Sequence, residues 1–535
     1  MNYIINHDIN YYILDLLPII DIVNLQLVNR SINELVIRSK IYQELQQLKN
    51  IPRNKILEEC YKKGLLEVLK NYNRNNKNII IDNAINWASG NGHIAVLDWF
   101  KNSDFKFEYT DDAIDGASNN GHVAVLDWFK NLATPLSSCG TLTGYEFKYT
   151  SYAIDWASKN GHVAVLDWFK KSNFKFKYTS DAINLASQNG HVAVLDWFKN
   201  TGLEFKYTSW AIDWASENGH IVVLDWFKNL ATPLSSIGTL TGFEFKYTND
   251  AIDRASENGH TAVLDWFKNT GYEFKYTDDA IDWASRNGHI AVLDWFKKSG
   301  YEFKYTDNAI VRASENGHVA VLDWFKNLAT PLSSPGTLTG FEFKYTRWAI
   351  DWASENGHVA VLDWFKKSGY KFKYTDNAID WASKNGHTAV LDWFKKSGYK
   401  FKYTDNAIDW ASKNGHTAVL DWFKKSGYKF KYTDNAIDWA TNDAINRASK
   451  NGHIAVLNWF KNLATPLSST GTITGFEFKY TRWAIDWASE NGHVAVLDWF
   501  KKSGFKFKYT SRAINLASIN GHFAVLDWFK SNGYH

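Results

Sequence analysis

The chain has 535 residues, 60 of them Lys or Arg and 57 Asp or Glu, with 45% hydrophobic and 22% charged. A formal net charge of +3 points to no polyanionic partner, and this balance of apolar and charged residues excludes a disordered chain. Two cysteines, Cys60 and Cys139, are too few for a disulfide framework or a multi-cysteine zinc site, so a reducing compartment and a cytoplasmic protein are expected.

The opening MNYIINHDIN has no basic region and no long apolar run, which argues against a signal peptide. No stretch of the sequence approaches ~18 uninterrupted apolar residues, so no membrane span is expected. Residues 1–50 carry helical periodicity in three short runs. Ile9, Tyr12, Ile13, Leu16 and Leu17 form the first, which Pro18 ends. Ile22, Leu25 and Val28 form the second, and Ile32, Leu35 and Val36 the third. Such a module has to pack on itself or on a neighbour.

The run from Ile13 to Leu35, with Ile13-Leu14, Leu17, Asp21-Ile22, Leu25, Leu27-Val28-Asn29-Arg30 and Leu35, resembles the latter two thirds of an F-box. It departs from that family where Ile5-Asn6-His7-Asp8-Ile9 replaces the opening Leu-Pro-x-Glu-Ile and where Ile32 replaces a tryptophan. The resemblance implies docking to a Skp-type adaptor of a cullin ubiquitin ligase through Leu17, Pro18, Ile22, Leu25 and Val28. A plain helical cap shielding the first repeat is the alternative.

Residues 51–80 contain KILEECYKKGLLEVLK, a degenerate repeat in which Gly64 holds the place of a signature glycine. From 81 to 535 the text is an array. Asn-Gly-His followed by Ala-Val-Leu-Asp-Trp-Phe recurs with small variations in 14 copies, their histidines running from His93 to His522. Periods of this length mark a solenoid of stacked supersecondary units. Successive signature histidines are mostly 29 residues apart; four spacings of 40 each hold an 11-residue insertion, beginning at Asn131, Asn229, Asn327 and Asn462. One spacing of 37 contains a second helix start, TNDAINRAS at Thr441–Ser449, which predicts a lengthened or distorted first helix.

Within one repeat, Thr404 followed by Asp405 predicts a helix N-cap. Ala407, Ile408, Ala411 and Ser412 form one helical face, and Asn414-Gly415 a left-handed stop. A second helix follows, with Ala418, Val419, Leu420, Trp422 and Phe423 as an apolar stripe. Gly427 ends it, and Tyr428-Lys429-Phe430-Lys431-Tyr432 alternates as an extended strand does. Trp99, Trp128, Trp168 and their counterparts hold one second-helix position in every copy, as core residues do. The equivalent first-helix position reads Trp87, Gly116, Trp156, Leu185, Trp214, Arg254, which predicts a loosely packed site at a groove margin.

This text resembles the ankyrin repeat at Ile379, Ala382, Gly386-His387 and Val390-Leu391, with Asp380 in place of the family's first-helix histidine and 29 residues in place of 33. The resemblance covers most of the array and implies an all-α fold: a solenoid of about fifteen ankyrin-like helix-turn-helix repeats with short extended fingers behind a small helical module. Shortened arrays headed by an F-box resemble those of large DNA viruses of protists, which implies the host cytoplasm.

The recurrent histidines suggest metal, but stacked helices lie ~8–10 Å apart, too far for neighbouring rings to share one zinc ion. Hydrogen bonding across the repeat turn is expected instead. The Asp of Asp-Trp-Phe recurs with no nucleophile, so neither an enzyme nor a cofactor is expected. The two residues before Ala-Ile vary from copy to copy. In ankyrin arrays this slot faces the concave surface, so Tyr152, Trp210, Arg347, Trp348, Arg482, Trp483 and Arg512 are the expected partner contacts, with neutral drift as the bland alternative. Lys371, Lys373, Lys400, Lys402, Lys429 and Lys431 alternate with aromatics in three fingers, a distant nucleic-acid signal diluted by Asp376, Asp380 and Asp392. Protein binding is the leading function, as ligase substrate recruitment or as a scaffold or decoy. At the far end, Phe523 or Trp528 is expected to be exposed.

Overall fold

The computed structural model describes residues 55–75, 83–103, 107–133, 145–231, 243–329, 341–428, 437–464 and 480–534, with Glu44, Gln47, Leu48, Ile51, Pro52 and Phe478. The F-box-like positions Leu17 to Val28, the four inserted loops beyond their first three residues, and Lys429 and Lys431 lie outside them. Every regular element among the described residues is a helix. The chain divides into two bodies, Met1–Ala255 with Ala262–Lys275, and Ser256–Thr261 with Tyr276–His535, and each is a helical-repeat solenoid.

One repeat shows how the sequence makes the pair of helices. Thr404 Oγ1 accepts from Asn406 N at 3.2 Å and starts the helix Asn406–Lys413. Gly415, at φ +81°, turns the chain, and the helix Thr417–Ser426 follows. Gly427, also left-handed, ends that helix. Neither helix is long enough to persist alone, so packing supplies most of the stability.

Within each body, first helices of successive repeats pack directly on one another, whereas second helices meet only along an edge. Small side chains permit the close approach: Ala378, Ala382 and Ser383 are fully buried, as is Ile379. Val390, Leu391 and Phe394 close the core from the second helix, each side chain contributing about 1.5–3 kcal/mol by burial.

Two expectations need correction. The second-helix tryptophans are core in some copies only: Trp197, Trp266, Trp364 and Trp528 are buried, whereas Trp99, Trp128 and Trp168 are half-exposed. Ala418 is exposed and Trp422 half-exposed, while Val419, Leu420 and Phe423 are buried. An indole N–H needs a polar partner, which holds the ring at the edge of the stack. The fingers form no strand among the described residues. Their alternation is real, with Lys371 and Lys373 exposed and Phe372 and Tyr374 turned inward, but rings and hydroxyls join one finger to the next instead of a backbone ladder. At the far end the expectation is met by Phe523, which is 72% exposed, while Trp528 is covered because Tyr534 stacks on it at 5.8 Å and 7°.

The irregular spacings have local answers. Second helices preceding an inserted loop, such as Val123–Ala133 and Val319–Ala329, run to 11 residues. The 37-residue spacing becomes a first helix of 14 residues, Ile437–Lys450, against 8 in the repeat before it.

Candidate binding face

Most of the insistently repeated polar letters are occupied in joining one repeat to the next. In the Asn-Gly-His turn, His93 Nε2 lies 2.8 Å from the carbonyl of Lys62 in the preceding repeat. The rings of His191, His358 and His416 bond likewise to the backbone of Lys159, Glu315 and Lys384. The expected bond therefore reaches back one repeat and does not close its own turn. Burial, with smaller repulsion between adjacent rings, holds the imidazoles of His191, His358 and His416 below their usual pKa.

The Asp-Trp-Phe motif makes a second rail. Trp393 Nε1 donates to Asp363 Oδ1 at 2.7 Å, Trp422 to Asp392 at 2.7 Å, and Trp128 to Asp98 at 2.7 Å. In one copy Asn458 accepts from Trp499 at 2.7 Å, so an oxygen acceptor suffices and charge is not required.

A third rail comes from the position where the ankyrin pattern has histidine. Asp351 Oδ1 accepts from Thr375 N at 2.9 Å and its Oδ2 from Thr375 Oγ1 at 2.7 Å. Asp380 holds Thr404 in the same way. Burial dominates over these bonds and pushes the carboxyls of Asp282 and Asp380 up to about 6. Asn replaces the carboxylate in other copies; Asn184 keeps both bonds to Thr208, as Asn86 does to Thr110. Val311 replaces it in another, and there Thr346 Oγ1 is buried without a hydrogen-bond partner.

The fingers supply the fourth rail. Tyr345 and Tyr374 donate their hydroxyls to the carbonyls of Lys371 and Lys400. Phe372 stacks on Tyr399 at 4.2 Å and on Trp393 at 5.4 Å. Lys373 and Lys402 sit 4.5 and 4.6 Å from the ring centres of Tyr345 and Tyr374. These two finger lysines, like Lys177 and Lys206 over Tyr149 and Tyr178, are thus engaged with the fold's own aromatic rings.

What these rails leave over in each body is a stripe of its first helices. It comprises the variable slot before Ala-Ile, the Trp/Gly/Leu/Arg position four residues on, and the residue before Asn-Gly-His. Spacings of four and three residues place them on one helical face. Tyr152 stacks on Trp156 at 4.6 Å and 5° and is 51% exposed; Trp210 stacks on Trp214 at 5.0 Å and is 52% exposed. Trp348 lies against Trp352 at 5.3 Å and Trp381 at 6.0 Å, with Arg347 over its ring at 4.8 Å and Arg312 over Trp352 at 4.6 Å. Trp483 stacks on Trp487 at 5.3 Å between Arg482 and Arg512, which lie 5.3 and 5.4 Å from its ring.

The seven variable-slot residues therefore fall into separate groups: Tyr152 and Trp210 stand in their own repeats, Arg347 joins Trp348, and Arg482, Trp483 and Arg512 come together. Trp348 and Trp483 are half-buried by their arginines, whereas Tyr152 and Trp210 are open. The ring beneath each anchor was missed in the sequence, although the four-residue offset between the two variable positions was a signal for it. Among the described residues, no group of three His, Cys, Asp or Glu side chains is placed to hold a metal ion, and no helix is long and apolar enough to cross a membrane.

No protein-family model matches the chain, and no curated protein does. Among solved structures, similar chains include the pentatricopeptide repeat protein PPR10 from maize, at 12% identity over 95% of this chain and 74% of that one, with a TM-score of 0.27. The same protein in complex with an 18-nt psaJ RNA element is similar at 12% identity over 89% of this chain and 83% of that one, with a TM-score of 0.19.

Proposed function

We propose that the chain is a non-catalytic interaction protein that holds a partner protein on the exposed stripe of its first helices. One observation carries this reading. The invariant letters are engaged in inter-repeat bonds, whereas the stripe pairs variable residues with large, half-open aromatic rings and arginines, the side chains that dominate interfaces. Tyr152, Trp210, Arg347, Trp348, Arg482, Trp483 and Arg512 are the contacts in this reading. Fixed by stacking, they lose little side-chain freedom on binding.

The shortened ankyrin repeat is the family reading, supported by Ile379, Ala382, Gly386-His387 and Val390-Leu391 in a helix-turn-helix frame. Substrate recruitment to a ubiquitin ligase is the finer proposal, resting on the residue pattern from Ile13 to Leu35. A scaffold or decoy is its alternative. Co-purification of the full-length chain with a Skp-type adaptor separates the two: capture that Leu25→Asp abolishes supports recruitment, and no capture ends it. The wider reading is tested by Trp210→Ala with Trp348→Ala, which should abolish partner binding while leaving thermal unfolding within a few degrees of the parent. Unchanged binding by that variant contradicts it.

A further inference from the structure

The end of the second helix and the finger that follows it carry a charge that the whole-chain balance hides. In three consecutive repeats the same nine letters recur, Lys-Lys-Ser-Gly-Tyr-Lys-Phe-Lys-Tyr, from Lys366 to Tyr374, Lys395 to Tyr403 and Lys424 to Tyr432. Each run holds four lysines and no carboxylate, which makes 12 cations in a chain whose net charge is +3. Where a finger holds glutamate, that glutamate pairs with a finger lysine: Lys206 lies 3.4 Å from Glu204, Lys275 3.7 Å from Glu273, and Lys304 3.7 Å from Glu302. Lys371 and Lys400 stand in place of that glutamate. Lys367, Lys371, Lys396, Lys400, Lys424 and Lys425 are all exposed.

The fold joins these groups into a row without neutralising it. Lys366 donates to the Ser397 carbonyl at 2.9 Å and Lys395 to the Ser426 carbonyl at 3.1 Å, so each ammonium reaches the second-helix end of the next repeat. Lys373 and Lys402 lie over the rings of Tyr345 and Tyr374. All of these partners are uncharged. The aspartates that dilute the signal in the sequence are occupied elsewhere: Asp380 is buried against Thr404, Asp392 accepts from Trp422, and Asp376 stands at the start of a first helix.

We infer that this row is a second binding surface, which holds the phosphodiester backbone of a nucleic acid. It does not depend on the reading of the first-helix stripe. Lysine is a compact, hydrated point charge, suited to phosphate contacts that position a strand and carry no sequence information. The rings beside the lysines stack on one another, as Phe372 does on Tyr399 and Trp393, which occupies faces that bases would otherwise use. An anionic membrane would be favoured by apolar side chains projecting among the cations. Among the described residues the exposed large hydrophobics, such as Trp210 and Phe523, lie outside the three runs. A row of cations that continues from repeat to repeat fits a linear polyanion.

Other repeats supply the test variants. Asn200 and Asn269 occupy the Lys367 position, so Lys367→Asn with Lys396→Asn and Lys425→Asn removes three charges from the row with residues the fold accommodates. Lys171→Asn with Lys298→Asn and Lys502→Asn removes three charges at the same repeat position outside the row. The full-length chain and both variants are titrated by fluorescence anisotropy with mixed-sequence RNA, single-stranded DNA and duplex DNA oligonucleotides and with polyglutamate. Co-sedimentation with phosphatidylcholine–phosphatidylserine vesicles covers the membrane. The chain should bind an oligonucleotide more tightly than polyglutamate or vesicles, with log affinity falling linearly with log salt between about 50 and 200 mM. The strand bound most tightly identifies the kind of nucleic acid. The row variant should bind about tenfold or more weakly, with a salt slope shallower by about 2–3, and the other variant within about twofold of the parent. Absence of oligonucleotide binding, tighter binding of polyglutamate or vesicles, or equal weakening by the two variants overturns the inference.

Discussion

A Cβ placed on Gly386 would lie 2.8 Å from Nδ1 of His416, the signature histidine of the following repeat. The glycine is needed twice over: its φ of +82° is one that L side chains rarely adopt, and its bare α-carbon is the surface on which the next ring rests. Gly398 has a similar φ of +84° with nothing within 4 Å of the same virtual atom. Gly386→Ala should therefore destabilise by more than Gly398→Ala. The second substitution meets only the left-handed penalty of about 1–2 kcal/mol, and the first adds the displaced imidazole. Urea unfolding of the two variants checks this, and equal losses would mean that the histidine contact contributes nothing.

The buried carboxyls give a pH dependence of unusual sign. Asp380 is 2% exposed and its pKa rises from 3.8 to about 6, mainly through burial. Between those values the folded chain binds the proton and the unfolded chain does not, so stability falls as pH rises. The contribution is complete below about pH 4 and lost through pH 6. Histidines such as His416 work in the opposite direction, since their lowered pKa makes stability rise toward neutral pH. Comparing Asp380→Asn with the parent cancels the histidines. The variant should gain relative stability between pH 4 and 7, on the order of 2 kcal/mol, because Asn keeps the bonds, as Asn184 does to Thr208 at 3.0 and 3.1 Å. A pH-independent difference would contradict the assignment.

Val311 offers a gain-of-stability test. Its partner position holds Thr346, whose buried hydroxyl has no hydrogen-bond partner. Val311→Asn should supply one and raise stability by about 0.5–1.5 kcal/mol. A lower melting temperature for the variant would show that the stack cannot place an amide there.

Trp422 donates to Asp392 at 2.7 Å, and Trp422→Phe should remove that bond while keeping the ring against Phe401, at a cost of about 1 kcal/mol. Asp392→Asn should cost much less, since Asn458 already serves Trp499. Similar losses from both, read by thermal unfolding, would mean that the charge matters and the hydrogen bond alone does not suffice.

These relationships explain what could be read from the letters and what could not. Helix pairs, the Gly415 turn and the lengthened helix before Lys450 follow from local periodicity and spacing, which sequence reports directly. The partners of Asp380, Trp422 and His416 sit in the neighbouring repeat, so they depend on stacking register. The departure from the ankyrin pattern at Asp380 therefore gave no sign of the bonds this carboxylate makes to Thr404. The finger alternation was legible as burial at Phe372 and Tyr374, yet it could not say whether backbone or hydroxyl would bridge to the next finger. Trp422 was misread as core for a related reason: invariance reports a constraint without saying whether it is packing or hydrogen bonding. The variable stripe was visible as variation, and only the fold places Trp352 beneath Trp348.

The most direct test of partner binding by the first-helix stripe is a photo-crosslinking scan in cells. A photoreactive residue is placed singly at Trp210, Trp348 and Trp483 and, for comparison, at Val222, which is 68% exposed on a second helix. The account predicts that one partner crosslinks from the three stripe positions and not from 222. Crosslinks that concentrate at 222, or that are equal at all four positions, would contradict it.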